Sequence, residues 1–229
     1  MSQPTRPRPV SYALLVATVL AVLVGTAAGS NAHLPASDAG NAGNAGNAGT
    51  SLARGQRPAI TKVLTFVVEN HSLKQMKASM PYVFRLAKKY AYADHYRAIT
   101  HPSLPNYLAI TSGSTQGITD DGDPSAHALS GQTVFDQALA LGRTATVYAD
   151  AMTQPCQLDN EGRYAVRHNP WAYFVDEREL CNRYDVPLRR LGRDSDTGHL
   201  PAVGMVIPDL CNDAHDCAPC NANVSMSML

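Results

Sequence analysis

Three continuous apolar runs constrain the fold of this 229-residue chain more than any other feature. They span residues 62–68, 144–148 and 202–207, and each is rich in branched side chains and followed by polar or turn-forming residues. Apolar runs without polar alternation are typical of strands buried on both faces, as in a parallel sheet covered by helices. The three runs therefore predict central strands of such a sheet.

Helical patterns lie between these runs. A helix is predicted behind Pro81, because apolar residues recur at the spacing i, i+3, i+4, i+7 from Val83. Further helices are predicted after Pro105 and over residues 133–141, whereas residues 164–193 are polar and irregular. The alternation of strands and helices predicts one α/β domain, with a mostly parallel sheet flanked by helices.

The chain's two ends differ from this predicted domain, which covers residues 59–217. Two arginines precede an uncharged run at residues 12–25, and small residues follow, so residues 1–32 are predicted to be a secretory signal peptide. An uncleaved membrane anchor is the alternative, although the run is short for a span. Repeated Asn-Ala-Gly indicates a low-complexity linker at 33–58, and residues 218–229 form an atypical tail.

Five cysteines lie in the second half of the chain. An exported protein favours disulfides over free thiols, and an odd number leaves one cysteine over. Pairing across short loops would join Cys156 with Cys181 and Cys211 with Cys217, leaving Cys220. Spacing alone leaves the connectivity open.

Polar side chains follow each predicted strand. Glu69, Asn70 and His71 come directly after the first strand, Asp150 follows the second and residues 209–215 follow the third. The carboxyl ends of parallel strands meet at one edge of a sheet, so these groups should converge there. The first three supply oxygen and nitrogen donors that suit a divalent cation. A polar loop cap is the alternative for them.

The segment at residues 100–106, Thr-His-Pro-Ser-Leu-Pro-Asn, places a hydroxyl between two prolines. At the start of a helix, the Ser103 oxygen could attack phosphorus, while helix N–H groups and the Asn106 amide stabilise the phosphoryl oxygens. The alternative is a serine that only caps the helix.

Composition and local motifs argue against several other classes of protein. Lys+Arg and Asp+Glu both total 19, so net charge gives no reason to expect a nucleic-acid partner or an anionic membrane. The surroundings of Ser103 do not form the Gly-x-Ser-x-Gly motif of a serine esterase. A zinc-binding module is an alternative with poorly fitting ligand spacing, and its donors would be Cys211, His215, Cys217 and Cys220.

Four segments, in order along the chain, resemble the bacterial acid phosphatase/phospholipase C phosphoesterase family. That family looks like one branch of the alkaline-phosphatase-like superfamily. Members of the superfamily hold a metal-bound Ser or Thr nucleophile beside an α/β sheet. The segments are 66–72 (FVVENHS), 100–113 (THPSLPNYLAITSG), 164–171 (YAVRHNPW) and 207–217 (IPDLCNDAHDC).

The resemblance implies a secreted, metal-dependent phosphoester hydrolase. Glu69, Asn70 and Ser103 would bind a divalent metal ion of unspecified identity. Ser103 would form a phospho-enzyme, and Asn106 would contact its phosphoryl oxygens. The substrate would be a phosphoester small molecule or a phospholipid.

The resemblance also implies roles for three residues further along the chain. His168 and His215 would bind a phosphoryl oxygen or protonate the leaving group, as histidines can near neutral or acidic pH. Asp213 would orient one of these histidines or help to bind the metal.

The match departs from the family after Cys217. Members continue into an acidic segment and a strand ending in Asp-Glu that completes the metal site, and these are not found before Leu229. We therefore expect an alkaline-phosphatase-like core that is incomplete at its C-terminus. A catalytically inactive truncated remnant, or a non-enzymatic binder of phosphorylated ligands, is the alternative function.

Overall fold

A five-stranded sheet forms the centre of the computed structural model, which describes residues 17–21 and 60–218. The strand order is β1-β2-β5-β3-β4. Strands β2, β5, β3 and β4 are parallel, and β1 pairs antiparallel with the other edge of β2. The predicted α/β class with a mostly parallel sheet is confirmed. The strands are β1 Ala17–Ala21, β2 Val63–Val68, β3 Ala145–Ala149, β4 Asp185–Pro187 and β5 Val203–Ile207.

Most of the predicted signal peptide, linker and tail lies outside the described residues. Residues 17–21 form β1 and fall within the predicted signal peptide. No helix in the described part of the chain is both long and apolar enough to cross a membrane.

Six α-helices and three short 3-10 helices surround the sheet in the described residues. Pro81 occupies the first turn of α2, as predicted, because its missing N–H would have no helical partner there. The Thr133 side chain caps α4 by accepting hydrogen bonds from two backbone N–H groups. The α-helices are α1 Leu73–Ser79, α2 Pro81–Lys89, α3 Ser103–Ser112, α4 Val134–Ala140, α5 Arg178–Tyr184 and α6 Arg189–Asp196, and the 3-10 helices are Val166–His168, Pro170–Tyr173 and Val175–Glu177.

Two sequence-based expectations about secondary structure were wrong. Residues 164–193 are not irregular, because they contain all three 3-10 helices, α5, β4 and the start of α6. These elements are too short to show a period, and β4 is a strand because it pairs with β3. Helix α3 does not begin after Pro105; it begins at Ser103, the helix start considered above for the hydroxyl, since a proline in the first turn removes only an N–H that has no acceptor within the helix.

Alternate side chains of the central strands enter two separate cores. Val67, Val147 and Met205 pack with α3, α4 and the 3-10 helices on one face of the sheet. Phe66 and Val206 pack with α1, α2 and α6 on the other face. Burial on both faces is the physical reason for the unbroken apolar runs in the sequence.

Two disulfides are present in the described residues. They join Cys156 to Cys181 and Cys211 to Cys217, which are the short-loop pairings named above. The second bridge occupies two of the sulfur donors of the alternative zinc site, so that ligand set is not available. The fifth cysteine, Cys220, lies outside the described residues.

The Asp185 carboxylate is buried in β4 against the first disulfide. One of its oxygens accepts a hydrogen bond of 2.7 Å from the Asn169 side chain, and the other has no hydrogen-bond partner among the described residues. Burial outweighs that hydrogen bond and raises the pKa of Asp185 to about 7. Asp185 therefore stays protonated to a higher pH in the folded protein than in the unfolded chain.

Asp185→Asn should remove a component of the pH dependence of stability. The folded pKa of about 7 exceeds the ordinary value of 3.8, so stabilisation that is present below 3.8 is lost as the pH rises through 7. Relative to the variant, the wild-type free energy of unfolding should fall over this window by at most about 4 kcal/mol. Urea unfolding across the same window measures the difference.

The matched control is Asp159→Asn, which makes the same substitution at an exposed carboxylate. It should keep the wild-type pH profile. If the free energy of unfolding of wild type and of Asp185→Asn changed with pH in the same way, the raised pKa of Asp185 would be contradicted.

Candidate active site

The carboxyl ends of β2, β3 and β5 bring the predicted polar groups to one edge of the sheet. The Glu69 N–H donates to the Asp213 carbonyl at 2.9 Å, which joins the segments after β2 and β5. Asp150 accepts a 2.8 Å hydrogen bond from the Asn212 side chain. Asp209 accepts from the backbone N–H groups of Cys211 and Asn212. Asp150 and Asp209 therefore shape the loop after β5.

Ser103 is the first residue of α3 and is buried beside Glu69. Its Oγ donates towards the Glu69 carboxylate, with both oxygens at 3.2 Å. Pro102 is the cap residue of this helix, so Ser103 does not act as the side-chain cap considered above. The hydroxyl is instead directed at a buried carboxylate, which can fix its orientation.

Asn106 holds the loop that leads to Ser103. Its Oδ1 accepts hydrogen bonds from the N–H groups of Ile99 and Thr100, and its Nδ2 donates to the carbonyls of Thr100 and Pro102. These bonds use both donors and both principal acceptor positions of the amide. In this arrangement Asn106 positions the loop before Ser103, and its hydrogen-bonding groups are engaged within the protein rather than directed at a phosphoryl oxygen.

His168 lies between two buried carboxylates, with only 1% of its side chain exposed. Its Nε2 is 2.6 Å from Glu69 Oε1, and its Nδ1 is 3.2 Å from Asp213 Oδ2. Neither contact is well aligned as a hydrogen bond. Burial by itself lowers the pKa of His168, but the Asp213 and Glu69 carboxylates outweigh it and raise this pKa to about 9.

The two carboxylates respond differently to this histidine. Burial works to raise the pKa of Glu69, but His168 overcomes it, so the net direction is downward and Glu69 is ionised. For Asp213, burial dominates and raises the pKa despite the histidine. Asp213 also accepts a 2.7 Å hydrogen bond from the His215 N–H, which fixes its position.

Tyr107 stacks on the His168 ring from one turn along α3. The ring centroids are 4.8 Å apart and the planes differ by 6°. The Tyr107 hydroxyl is buried and makes no hydrogen bond in the described structure. Burial raises the pKa of Tyr107 well above its usual value, and Glu69 and Asp213 raise it further. The ring is a neutral surface that holds the imidazole in place.

The donor set suits a divalent cation. Glu69, His168 and His215 each offer one ligand atom, and these atoms lie within 4.8 Å of one another. Each histidine has a carboxylate at Nδ1: Asp213 for His168, and Asp216 at 2.6 Å for His215. Metal-bound histidines usually have such a partner on the second nitrogen, which leaves Nε2 for the ion. The misaligned contacts of His168 are consistent with a site shaped for an additional ligand.

Asn70 and His71 lie on the loop after Glu69 but differ in their contacts. Asn70 is exposed, has a left-handed backbone with φ of 73°, and makes no side-chain hydrogen bond among the described residues. His71 Nε2 lies 2.9 Å from the Ala214 carbonyl and links the loops after β2 and β5. Asn70 remains available for the predicted metal contact, whereas His71 holds the loop.

Sequence reasoning missed Tyr107, Asp121 and Arg167. Asp121 Oδ1 accepts a 2.8 Å hydrogen bond from the N–H of Leu104, the residue after Ser103, and its other oxygen faces Arg167. Tyr107 and Arg167 lie inside segments that carry the family resemblance. Their closeness in sequence to Ser103 and His168 was the signal that could have identified them. Asp121 lies outside those segments and is brought to the helix only by folding.

The sequence matches one protein-family model and is similar to two phosphatases. Residues 59–227 match the sequence model of the Phosphoesterase family. A phosphatidylinositol-3-phosphatase from Mycobacterium tuberculosis is 32% identical over 169 residues, covering 72% of this chain and 55% of that protein. A phosphate-repressible acid phosphatase from Penicillium chrysogenum is 28% identical over 139 residues, covering 58% of this chain and 34% of that protein. The chain thus spans about half or less of the length of these relatives.

Asn106→Ala should destabilise the protein and loosen the loop before Ser103. The substitution leaves two N–H groups and two carbonyls without their side-chain partner, so the free energy of unfolding should fall by about 2 kcal/mol. Urea unfolding measures the loss, and hydrogen exchange at Ile99 and Thr100 localises it. Asn106→Asp keeps the two acceptor bonds and should rescue protection of those two N–H groups. Unchanged exchange in Asn106→Ala would contradict the role of a loop clamp.

Proposed function

The chain belongs to the Phosphoesterase family, and from that premise we propose that it hydrolyses phosphoester bonds, with Ser103 as the nucleophile. The observation that carries this proposal is the buried Ser103 hydroxyl, hydrogen-bonded to an ionised Glu69 that also contacts His168. A serine at a helix N-terminus, beside a carboxylate and imidazoles, combines a nucleophile with groups that can hold and transfer protons.

The proposed reaction has two displacements at phosphorus. Ser103 Oγ attacks phosphorus, its proton passes to a nearby base, and the bond to the departing alcohol breaks as that oxygen takes up a proton. Water then attacks the phosphoserine and restores the serine hydroxyl, which releases inorganic phosphate from a phosphomonoester substrate or a phosphomonoester from a diester substrate. Glu69 is the group within hydrogen-bonding distance of the serine proton in the described structure.

His215 is the proposed acid for the departing alcohol. Its side chain is 25% exposed, its Nδ1 is engaged by Asp216, and its ring lies 5.7 Å from that of His168. A group at the solvent side of the site can reach the leaving oxygen, whereas His168 is enclosed between Glu69 and Asp213. His168 therefore serves to balance the charge of the two carboxylates.

We also propose that the reaction depends on a divalent cation held by Glu69, the Ser103 oxygen and Asn70. When bound, such a cation lowers the pKa of the serine hydroxyl and offsets negative charge on the phosphoryl group. Asp213 and Asp216 would then orient the histidines from behind.

Export of the protein is part of the same proposal. The predicted signal peptide supports it, and two disulfides in the described domain fit an oxidising compartment. The substrate would then be an extracellular phosphomonoester, phosphoinositide or phospholipid diester.

Ser103→Ala should abolish turnover without unfolding the protein. The rate of para-nitrophenyl phosphate hydrolysis should fall on the order of 1,000-fold or more, because the covalent step needs the serine oxygen. Ser130→Ala, at an exposed position, is the matched control and should keep the wild-type rate. Mass spectrometry of acid-quenched wild type should find one phosphoryl group on Ser103. Undiminished turnover in Ser103→Ala would remove the serine from the mechanism.

Chelation should lower the rate, and restoring a divalent cation should recover it. The measurement is hydrolysis after dialysis against EDTA, followed by separate additions of Mg²⁺, Mn²⁺, Ca²⁺ and Zn²⁺. Glu69→Gln should weaken the cation response, because the amide loses the negative charge of this ligand. Full activity after exhaustive chelation would contradict the metal dependence. Binding of phosphate without turnover under every cation would instead favour the phospho-ligand binder.

A further inference from the structure

Arg167 is connected to the nucleophile helix through one carboxylate. Its Nε lies 3.7 Å from Asp121 Oδ2, and Asp121 Oδ1 accepts the 2.8 Å hydrogen bond from the Leu104 N–H. Leu104 is the residue after Ser103. A carboxylate that joins both groups fixes the guanidinium relative to the first turn of α3.

The backbone beside Arg167 is tied to Ser103 by a second route. The next residue, His168, contacts Glu69 at 2.6 Å, and Glu69 accepts the Ser103 hydrogen bond. Arg167 and Ser103 are therefore linked through Asp121 on one side and through Glu69 on the other. Its side chain is 21% exposed, so it is partly accessible from solvent.

The terminal nitrogens of Arg167 have no protein partner in the described structure. Among the described residues only Nε forms an ion pair, with Asp121, although the guanidinium has five N–H donors. Arg178 provides a contrast, because its Nη1 donates to the Ala172 carbonyl and contacts Cys156 Sγ. Arg178 supports the fold, whereas Arg167 keeps a planar pair of donors that matches two oxygens of a phosphoryl group.

The charge of the site gives an independent reason for such a cation. Glu69 contacts Ser103 and Asp121 contacts Leu104 in the first turn of α3, while Asp213 lies across His168 from Glu69. A phosphoryl group brings further negative charge, and like charges repel strongly where water is excluded. The guanidinium of Arg167, held beside that turn by Asp121, is the cation placed to offset it.

We propose that Arg167 binds the non-bridging oxygens of the phosphoryl group that Ser103 attacks, and that Asp121 positions its guanidinium. This inference rests on the proposed function and adds the phosphate-binding residue to it. The ligand class is a phosphate dianion or the terminal phosphoryl group of a phosphoester. Asp121 is a positioning residue, since it acts through the guanidinium.

Direct binding separates this inference from the catalytic proposal. Isothermal titration of inorganic phosphate into Ser103→Ala measures affinity without turnover. Adding Arg167→Ala in that background should weaken phosphate binding roughly 10- to 100-fold, because a charge-assisted pair of hydrogen bonds is lost. Adding Arg163→Ala instead is the matched control and should leave affinity unchanged, because that arginine is 65% exposed and faces Asp209 at 3.9 Å.

Kinetics then distinguish a phosphate-binding role from a structural one. Arg167→Ala with the native serine should lower kcat/KM for para-nitrophenyl phosphate roughly 100-fold, and millimolar guanidinium should restore part of it. Asp121→Asn keeps an acceptor for Leu104 and should lower kcat/KM roughly 10-fold without guanidinium rescue. Circular dichroism confirms folding, and Arg167→Lys serves as a milder variant if the alanine variant unfolds.

Each result decides between the two roles. Loss of phosphate affinity in the Arg167 variants supports the inference, even if the wild type hydrolyses no ester and the proposed function fails. Wild-type phosphate affinity in a folded Arg167→Ala protein, or no phosphate binding by Ser103→Ala itself, overturns the inference. Turnover that persists with an unaltered KM in Arg167→Ala overturns it while leaving Ser103 as the nucleophile.

Discussion

A buried carboxylate must be neutralised or well hydrogen-bonded, because the loss of hydration is otherwise too costly. Glu69 is 1% exposed at the carboxyl end of β2, and the site is organised around that requirement. It accepts from the Ser103 hydroxyl and contacts His168, which in turn faces Asp213. The burial of this one carboxylate therefore influences the position of the proposed nucleophile Ser103, the charge of His168 and the contacts of Asp213.

The rigidity of this arrangement comes from side chains that have no direct part in the proposed chemistry. Asn106 closes the loop before Ser103, and His71 joins the loops after β2 and β5. Tyr107 supports the imidazole of His168 from the side of α3. Such groups keep reacting atoms in place, so that little reorganisation is needed when substrate binds.

The family motifs therefore contain two kinds of residue. In the segment at 164–171, His168 enters the site, while Asn169 binds Asp185 and Trp171 binds Glu177 on the core side. The Glu177 carboxylate also accepts from Thr133 at the start of α4. The segment at 164–171 therefore supplies a residue to the site and also buried polar contacts that stabilise the fold.

Much of the architecture follows from sequence patterns alone. Unbroken apolar runs predicted β2, β3 and β5, since burial on both faces leaves no polar alternation, and Pro81 marked the start of α2. Polar residues after those strands predicted a common site, because parallel strands place their carboxyl ends together. The motif order predicted the family, and short loops indicated the disulfide pairs that are present.

Tertiary structure decided what depends on contacts between distant segments. Strand β4 is defined by its pairing with β3, and a three-residue strand is too short to be predicted from a sequence pattern. Asp121 lies 17 residues from Leu104 in sequence, yet it accepts that residue's N–H and faces Arg167. Local sequence carries the periodicity of an element and the chemistry of a side chain. Which carboxylate meets which cation is determined only when packing brings their segments together and removes the water between them.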